Sequence, residues 1–397
     1  MSRISVLIPD ADDWIGLRVA YCLNSAGEVS VHGLSRRESW PFRLSNLFRS
    51  FDHSGEFELS SWLARIDEIV ARRGVDVVLP VSSFGIRALS EHGSMLGCAD
   101  RLVHLPEPHV FDEATNKSAL ADVLTASGIP QPTTVIVAAG APRPEGFSSL
   151  TFPVLAKPPL AGSGDGIRRF ESPKELDLFL ASEGWDHDWV VQEFIEGSDL
   201  CANVLCQNGQ IIASTVQHAI APSSVPFAPA PTVKFIPDSS AMSVVAKLIE
   251  RLHWSGVAHI DMRLGAQDEA PRVLELNGRY WLSVLGSLQA GVNFPILACE
   301  AVLGLPKSSR RAQSTRYFSG KSWAVSSLFG GGRYRVRPWE TDLSYYVYDP
   351  LLFACSLVGK PVKTLRDKLF GQMRPPRGSD VDGAGNGLKG VASELYF

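Results

Sequence analysis

Two apolar runs, AHIDMRL at 258–264 and RVLELN at 272–277, carry charged or amide side chains at alternate positions. Asp261 and Arg263 lie in the first, Glu275 and Asn277 in the second, and Arg279 follows two residues later. Residues two apart on a strand share a face, so each set projects to one side of a sheet. Acids flanked by apolar residues are costly to bury without counter-charge, which forces the chain to bring cations to this face. Two carboxylates and an amide carbonyl are hard oxygen ligands of the kind Mg²⁺ takes alongside phosphates. Arg279 on the same face suits neutralisation of a transferring phosphoryl group. A structural Asp/Glu/Arg salt-bridge cluster would use the same residues.

Two upstream segments supply matching chemistry. Lys157 ends the apolar run FPVLAK and is followed at once by PPLAGSGDG, with Gly162, Ser163, Gly164 and Gly166. An ammonium on a buried strand beside a run of accessible backbone amides suits clustered phosphate charge. It is not a Walker loop, because no G-K-[ST] opens a helix there; alone, it reads equally as a surface loop. The run VVQEFIEGSD at 190–199 predicts a strand leaving a sheet, where exposed backbone N–H and C=O groups could read an adenine edge and Asp199 a ribose. An edge strand with solubilising acids is the plainer reading of that run by itself.

Residues 3–34 alternate an apolar run, a helical period and a second apolar run, a βαβ opening. Where a dinucleotide fold places G-x-G-x-x-G, this chain has Asp10, Asp12 and Asp13. These complement a helix N-terminus but repel phosphate. Helices near 60–73 and 84–92 and strands at 75–81 and near 101–105 continue the alternation and predict a parallel, doubly wound sheet. Ser82 and Ser83 stand beyond a strand end, as ligand contacts or as caps of the next helix. From about 110 the pattern changes to α+β: a helix over 113–127, strands near 133–137 and 152–157, a helix near 173–182, and a hairpin at Asn208-Gly209. The organisation expected is an α/β domain at 1–110, the chemistry-bearing domain at 111–300 and an extension at 301–397.

The net charge of −4 conceals a split: residues 301–397 hold 15 Lys+Arg against 7 Asp+Glu. The remaining body is acidic, so a uniformly basic nucleic-acid binder is excluded. Six scattered cysteines without C-x-x-C read as buried apolar groups of a reducing compartment, and MSRISVLIPDADDW has no signal-peptide stretch; a cytoplasmic protein is expected. Tyr280–Cys299 lacks charge but contains glycines and Pro295, which argues for a buried segment over a membrane span. Residues 350–370 pair an apolar stretch with a basic amphipathic one, suited to packing on the body or to peripheral contact with an anionic membrane. The tail from about 378 is expected to be mobile. His218 and His259 are candidates for acid/base work or ordinary structural histidines.

Taken together the three elements resemble the ATP-grasp superfamily, which includes carboxylate–amine ligases, D-alanine–D-alanine ligase, biotin carboxylase and the carbamoyl phosphate synthetase large chain. The resemblance runs from about 110 to 300. It implies a pre-ATP-grasp α/β domain, then a two-lobed ATP-grasp domain, with ATP and Mg²⁺ (or Mn²⁺) as cofactors. It also implies that Lys117 (in EATNKSAL) and Lys157 hold phosphates, that VVQEFIEGSD is the hinge, with Glu193, Phe194 and Ile195 at the adenine and Asp199 at the ribose, and that Asp261, Glu275 and Asn277 are the metal ligands. The ending ELNGR is nearest the carbamoyl phosphate synthetase and biotin carboxylase branch, which usually has Pro where this chain has Gly278. The implied reaction activates a small-molecule carboxylate as an acylphosphate, steadied by Arg279 and Arg263, for attack by an amine, with loop 161–166 closing over the nucleotide. An ATP-dependent carboxylase or carboxylate kinase, and a non-catalytic ATP-binding regulator of an envelope assembly, are the alternatives. A homodimer is compatible with the resemblance.

Overall fold

The computed structural model describes residues 4–36, 42–55, 58–139, 147, 149–160, 164–182, 188–221, 223, 225–305, 312–329, 334–351 and 353–354. The first unit runs β1 (Ile4–Ile8), α1 (Trp14–Asn24), β2 (Val29–Ser35), β3 (Ser50–His53), α2 (Leu59–Arg73), β4 (Val77–Val78) and α3 (Ser83–His92). Its strands form a parallel sheet of order β3-β2-β1-β4, as the alternation predicted. The expected strand near 101–105 is reduced to one bridge between Val78 and Leu102.

Local chemistry explains the helix ends. Asp13 caps α1 by accepting from the amides of Ile15 and Gly16. Glu58 caps α2, and Gly74 at φ 62° closes it. Ser82 takes the capping role: its Oγ accepts from Gly85 N and donates to Asp10. Asp10 is fully buried and also accepts from the amides of Val81 and Ser82. Burial raises its pKa to about 6 against the opposing hydrogen bonds from Ser82.

The single helix expected over 113–127 is two, α4 (Pro108–Thr115) and α5 (Lys117–Ala126). Asn116 is extended at φ −87°, ψ 118°, and its side chain accepts from the amides of Ser118 and Ala119. An Asn side chain offers the backbone this local alternative to a continuous helix, and the break makes Lys117 the first residue of α5.

The rest comprises β5 (Thr134–Val137), β6 (Val154–Lys157), β7 (Arg168–Phe170), α6 (Pro173–Ser182), β8 (Trp189–Glu193), β9 (Gly197–Gln207), β10 (Gln210–Ala221), β11 (Thr232–Phe235), α7 (Ser239–Arg251), β12 (Gly256–Gly265), β13 (Arg272–Asn277), α8 (Val284–Gln289), α9 (Phe294–Val302), β14 (Thr315–Phe318), α10 (Lys321–Ser327) and α11 (Leu343–Tyr348). A small antiparallel sheet, β5-β8-β6-β7, has its own core with α6 around Val137, Leu176 and Trp189. A large antiparallel sheet runs β13-β12-β9-β10-β11-β14. Asn208 (φ 49°) and Gly209 (φ 77°) turn β9 into β10, both left-handed as an Asn-Gly hairpin requires. Residues 280–299, read above as a buried segment, contain the short helix α8 and most of α9, and no helix among the described residues is long and apolar enough to cross a membrane.

One hydrophobic core extends from Val6 in the parallel sheet, through the large sheet, to Tyr346. The described part of the C-terminal region is built into it. β14 adds the outermost strand beside β11, and Asp342 makes an ion pair with Arg18 of α1 at 3.2 Å. Gly162, Ser163, most of 350–370 and the tail from 378 lie outside the described residues.

Candidate nucleotide and metal site

The site forms where α5 and β13 face the small sheet. Lys117, Lys157, Gln192 and Val190 line one cleft with Leu274 of β13. Lys117 is at the start of α5, where its amide donates to Pro159 O at 3.1 Å, tying the helix to the segment leading into the glycine-rich loop. Its Nζ lies 3.0 Å from Glu275 Oε2. Lys157 ends β6 and is buried, with Nζ donating to Gln192 Oε1 at 2.7 Å. Gln192 Nε2 donates to Thr134 Oγ1 at 3.0 Å, which fixes that amide. Burial lowers the Lys157 pKa to about 8, with nearby Lys117 adding to the effect and Glu275 opposing it.

The large sheet supplies the oxygens. Asp261 is opposite Glu275 and His259 is opposite Asn277 in the β12–β13 ladder. Asn277 Nδ2 donates to Asp261 Oδ2 at 3.0 Å and to Glu275 Oε1 at 3.1 Å, so the three predicted ligands converge. Two residues that motif reading missed complete the cluster: Cys201, whose Sγ lies 3.0 Å from Asp261 Oδ1, and Asn203, whose Oδ1 lies 2.6 Å from His259 Nδ1. Both face Asp261 and His259 across the β9–β12 ladder. The available signal was their alternate spacing after Asp199, on the same face. Burial alone would raise the Asp261 pKa, but the His259 charge and the hydrogen bonds from His259 and Cys201 hold it well below the usual carboxylate range. Burial and Asp261 push the Cys201 thiol well up.

The residues of the expected hinge run come together at the far end of β12. Arg263 pairs with Asp199, donates through Nε to Ile195 O, and lies 4.8 Å over the Phe194 ring, which Arg169 approaches at 4.5 Å. Glu193 N donates to Thr133 O and Phe194 N to Pro153 O. Arg263 and Arg279 are not brought together. Arg263 lies four residues, roughly 13 Å at about 3.3 Å per residue, along β12 from the position opposite Asn277, and Arg279 follows beyond Asn277. Arg279 bonds Tyr280 O at 3.0 Å, and Tyr280 N reaches Val81 O of the parallel-sheet unit at 3.3 Å. Gly164, at φ 83°, is packed so that a Cβ would meet Phe227 O at 2.6 Å, which sets Gly164 against Phe227. His218 is one position out of phase with Gln217, which opposes Cys201, and pairs with Asp238 at 3.0 Å; it lies on the other face of the sheet.

This arrangement of two lysines and an oxygen cluster coincides with a family match. Residues 114–282 match the ATP-grasp domain model. The chain carries an ATP-grasp domain. It is 25% identical over 201 residues to the carbamoyl phosphate synthase large chain of Pyrococcus furiosus, covering 48% of this chain and 19% of that one. It is 26% identical over 203 residues to the D-alanine–D-alanine ligase of Ralstonia pickettii, covering 46% of this chain and 60% of the relative. The chain thus spans less than two thirds of either. The fold is similar to that of an L-amino acid ligase from Bacillus licheniformis, with a TM-score of 0.57 and 16% identity over 80% of this chain and 79% of that chain.

Proposed function

We propose that the protein is an ATP-dependent ligase that activates a small-molecule carboxylate as an acylphosphate and joins it to an amine, releasing ADP and phosphate. The observation that carries this reading is the unbroken contact series Lys117–Glu275–Asn277–Asp261, at 3.0, 3.1 and 3.0 Å, beside buried Lys157. It sets two cations and three hard-oxygen side chains in one cleft. The oxygen set fits Mg²⁺, and equally Mn²⁺: Asp261 and Glu275 present carboxylate oxygens toward one point, and rotation of the Asn277 amide would present Oδ1 in place of Nδ2. Bound there, the ion would offset charge on the phosphate oxygens.

The protein's own part is binding and positioning, because phosphoryl transfer needs little covalent help. Lys117 and Lys157 would hold phosphates. The backbone of Glu193, Phe194 and Ile195 would face the adenine and Asp199 the ribose, with Gly162, Ser163 and Gly164 covering the phosphates. The contacts of Arg263 with Ile195 and Asp199 favour a role in holding the hinge. Arg279, at the opposite end of the cluster, is the arginine suited to the developing acylphosphate. The ligase names of D-alanine–D-alanine ligase and L-amino acid ligase among the relatives support C–N bond formation.

ADP release with Mg-ATP across a panel of amino acids and carboxylic acids, bicarbonate included, tests the reading. A carboxylate and an amine together should drive turnover, and Glu275→Ala should lose at least about a hundredfold. Undiminished turnover in that variant would overturn the metal assignment, and turnover with bicarbonate alone would point to carboxylation.

A further inference from the structure

Cys201 and His259 are polar, sit beside Asp261, and have no role in the ligase chemistry above. We propose that Cys201, His259 and Asp261 form a site for a borderline-soft divalent cation of the Zn²⁺ class, sharing Asp261 with the Mg²⁺ set. An ion there would deny Asp261 to the Mg-nucleotide.

The geometry is close to what such an ion needs. Cys201 Sγ and His259 Nε2 lie 3.0 and 3.2 Å from the same oxygen, Asp261 Oδ1, and one ligand atom from each residue falls within 4.8 Å of the others. A tetrahedral ion with Zn–S near 2.3 Å and Zn–N near 2.0 Å separates its donors by about 3.5 Å. Small side-chain rotations therefore make the set, leaving a fourth position for water or a phosphate oxygen.

The histidine is oriented in advance. Its Nδ1 faces Asn203 Oδ1 at 2.6 Å, and Asn203 is fully buried with Nδ2 directed at Thr215 Oγ1, 3.0 Å away. The ring stacks on Trp281 with centroids 6.0 Å apart and planes at 17°. A carbonyl oxygen on the distal ring nitrogen fixes the tautomer that presents Nε2 to a metal. Thiolate and imidazole select Zn²⁺ or Co²⁺ over Mg²⁺, which prefers an all-oxygen shell. Binding displaces the thiol proton, and any proton on Nε2, to solvent.

Only the inhibitory consequence rests on the ligase reading, so the test has two arms. Co²⁺ alone, titrated into the full chain, should give one equivalent of thiolate-to-cobalt charge-transfer absorption that Zn²⁺ then removes. Cys201→Ser should abolish the band and His259→Gln should weaken binding at least about tenfold, while Cys98→Ala, remote in the parallel-sheet unit, should leave it unchanged. Circular dichroism checks that each variant is folded. Absence of the band in wild type, or its survival in folded Cys201→Ser, would overturn the site. In the second arm, Zn²⁺ should weaken Mg-nucleotide binding to wild type and do so at least about tenfold less in Cys201→Ser; equal inhibition of both would overturn the shared-ligand claim. A cobalt band in a protein that binds no Mg-nucleotide would sink the ligase reading and leave the metal site standing.

Discussion

At the scale of single residues, the buried Lys157 sets a pH dependence. Burial lowers its pKa from 10.5 to about 8, so between those values the unfolded chain binds more protons than the folded one. Its effect on stability therefore rises with pH across that window. Nucleotide binding should run the other way, because phosphates favour the ammonium. We expect the affinity for Mg-ATP, followed by calorimetry, to fall by up to about tenfold per pH unit above pH 8. Lys157→Arg should flatten that slope, since a guanidinium stays charged, and Lys157→Met should cost roughly ten- to a hundredfold at pH 7. A slope unchanged in Lys157→Arg would assign the titration elsewhere. The convergence of Asp261, Glu275 and Asn277 was legible in the sequence because polar residues at alternate positions of two apolar strands share a face. Gln192, Cys201 and Asn203 were not, because nothing local distinguishes them from ordinary strand residues. Their meaning comes from a partner brought alongside by the ladder, as Asp261 is brought to Cys201 from 60 positions away.

At the scale of elements, Gly278 shows how packing overrides a motif. A Cβ at this position would lie 2.7 Å from Phe111 Cε2 and 2.9 Å from Trp254 Cη2, rings that stack with each other at 6.2 Å. A proline ring at this position would need the same space. This chain fills the volume behind ELNGR with aromatics from α4 and from the segment following α7. Gly278→Ala should therefore cost about 1–3 kcal/mol by overpacking, read as a lower urea midpoint, and should weaken Mg-ATP binding by displacing Asn277. In a Phe111→Leu background most of that penalty should vanish. An equal penalty in both backgrounds would show that the ring is not the obstacle. The same scale explains the misread helix. The residues of 113–127 read as one helix by propensity, whereas the cap chemistry of Asn116 divides the stretch and turns Lys117 toward Glu275.

At the scale of the whole molecule, the described part of the basic C-terminal quarter is closely joined to the body. Arg18 of α1 is buried against Asp342, donates to Leu282 O at 3.0 Å and Tyr317 Oη at 3.1 Å, and has its pKa held above the usual value by Asp342 despite burial. Asp349 accepts from Asn46 N at 3.1 Å and from the Ser45 hydroxyl. These contacts join residues about 300 positions apart. No local pattern records such pairs, which is why the sequence alone did not show that Asp342 and Asp349 pack on the parallel-sheet unit. Because one core runs from Val6 to Tyr346, the parallel-sheet unit and the large sheet should unfold together. Asp342→Ala removes the anion and leaves a buried guanidinium, so it should cost about 3–5 kcal/mol, whereas the apolar pair Arg18→Met with Asp342→Leu should recover most of that loss. Both are measurable by denaturant unfolding followed separately by circular dichroism and tryptophan fluorescence. If Asp342→Ala moved only part of the signal and split the transition in two, the C-terminal segment would be an appendage to the fold and not a member of its core.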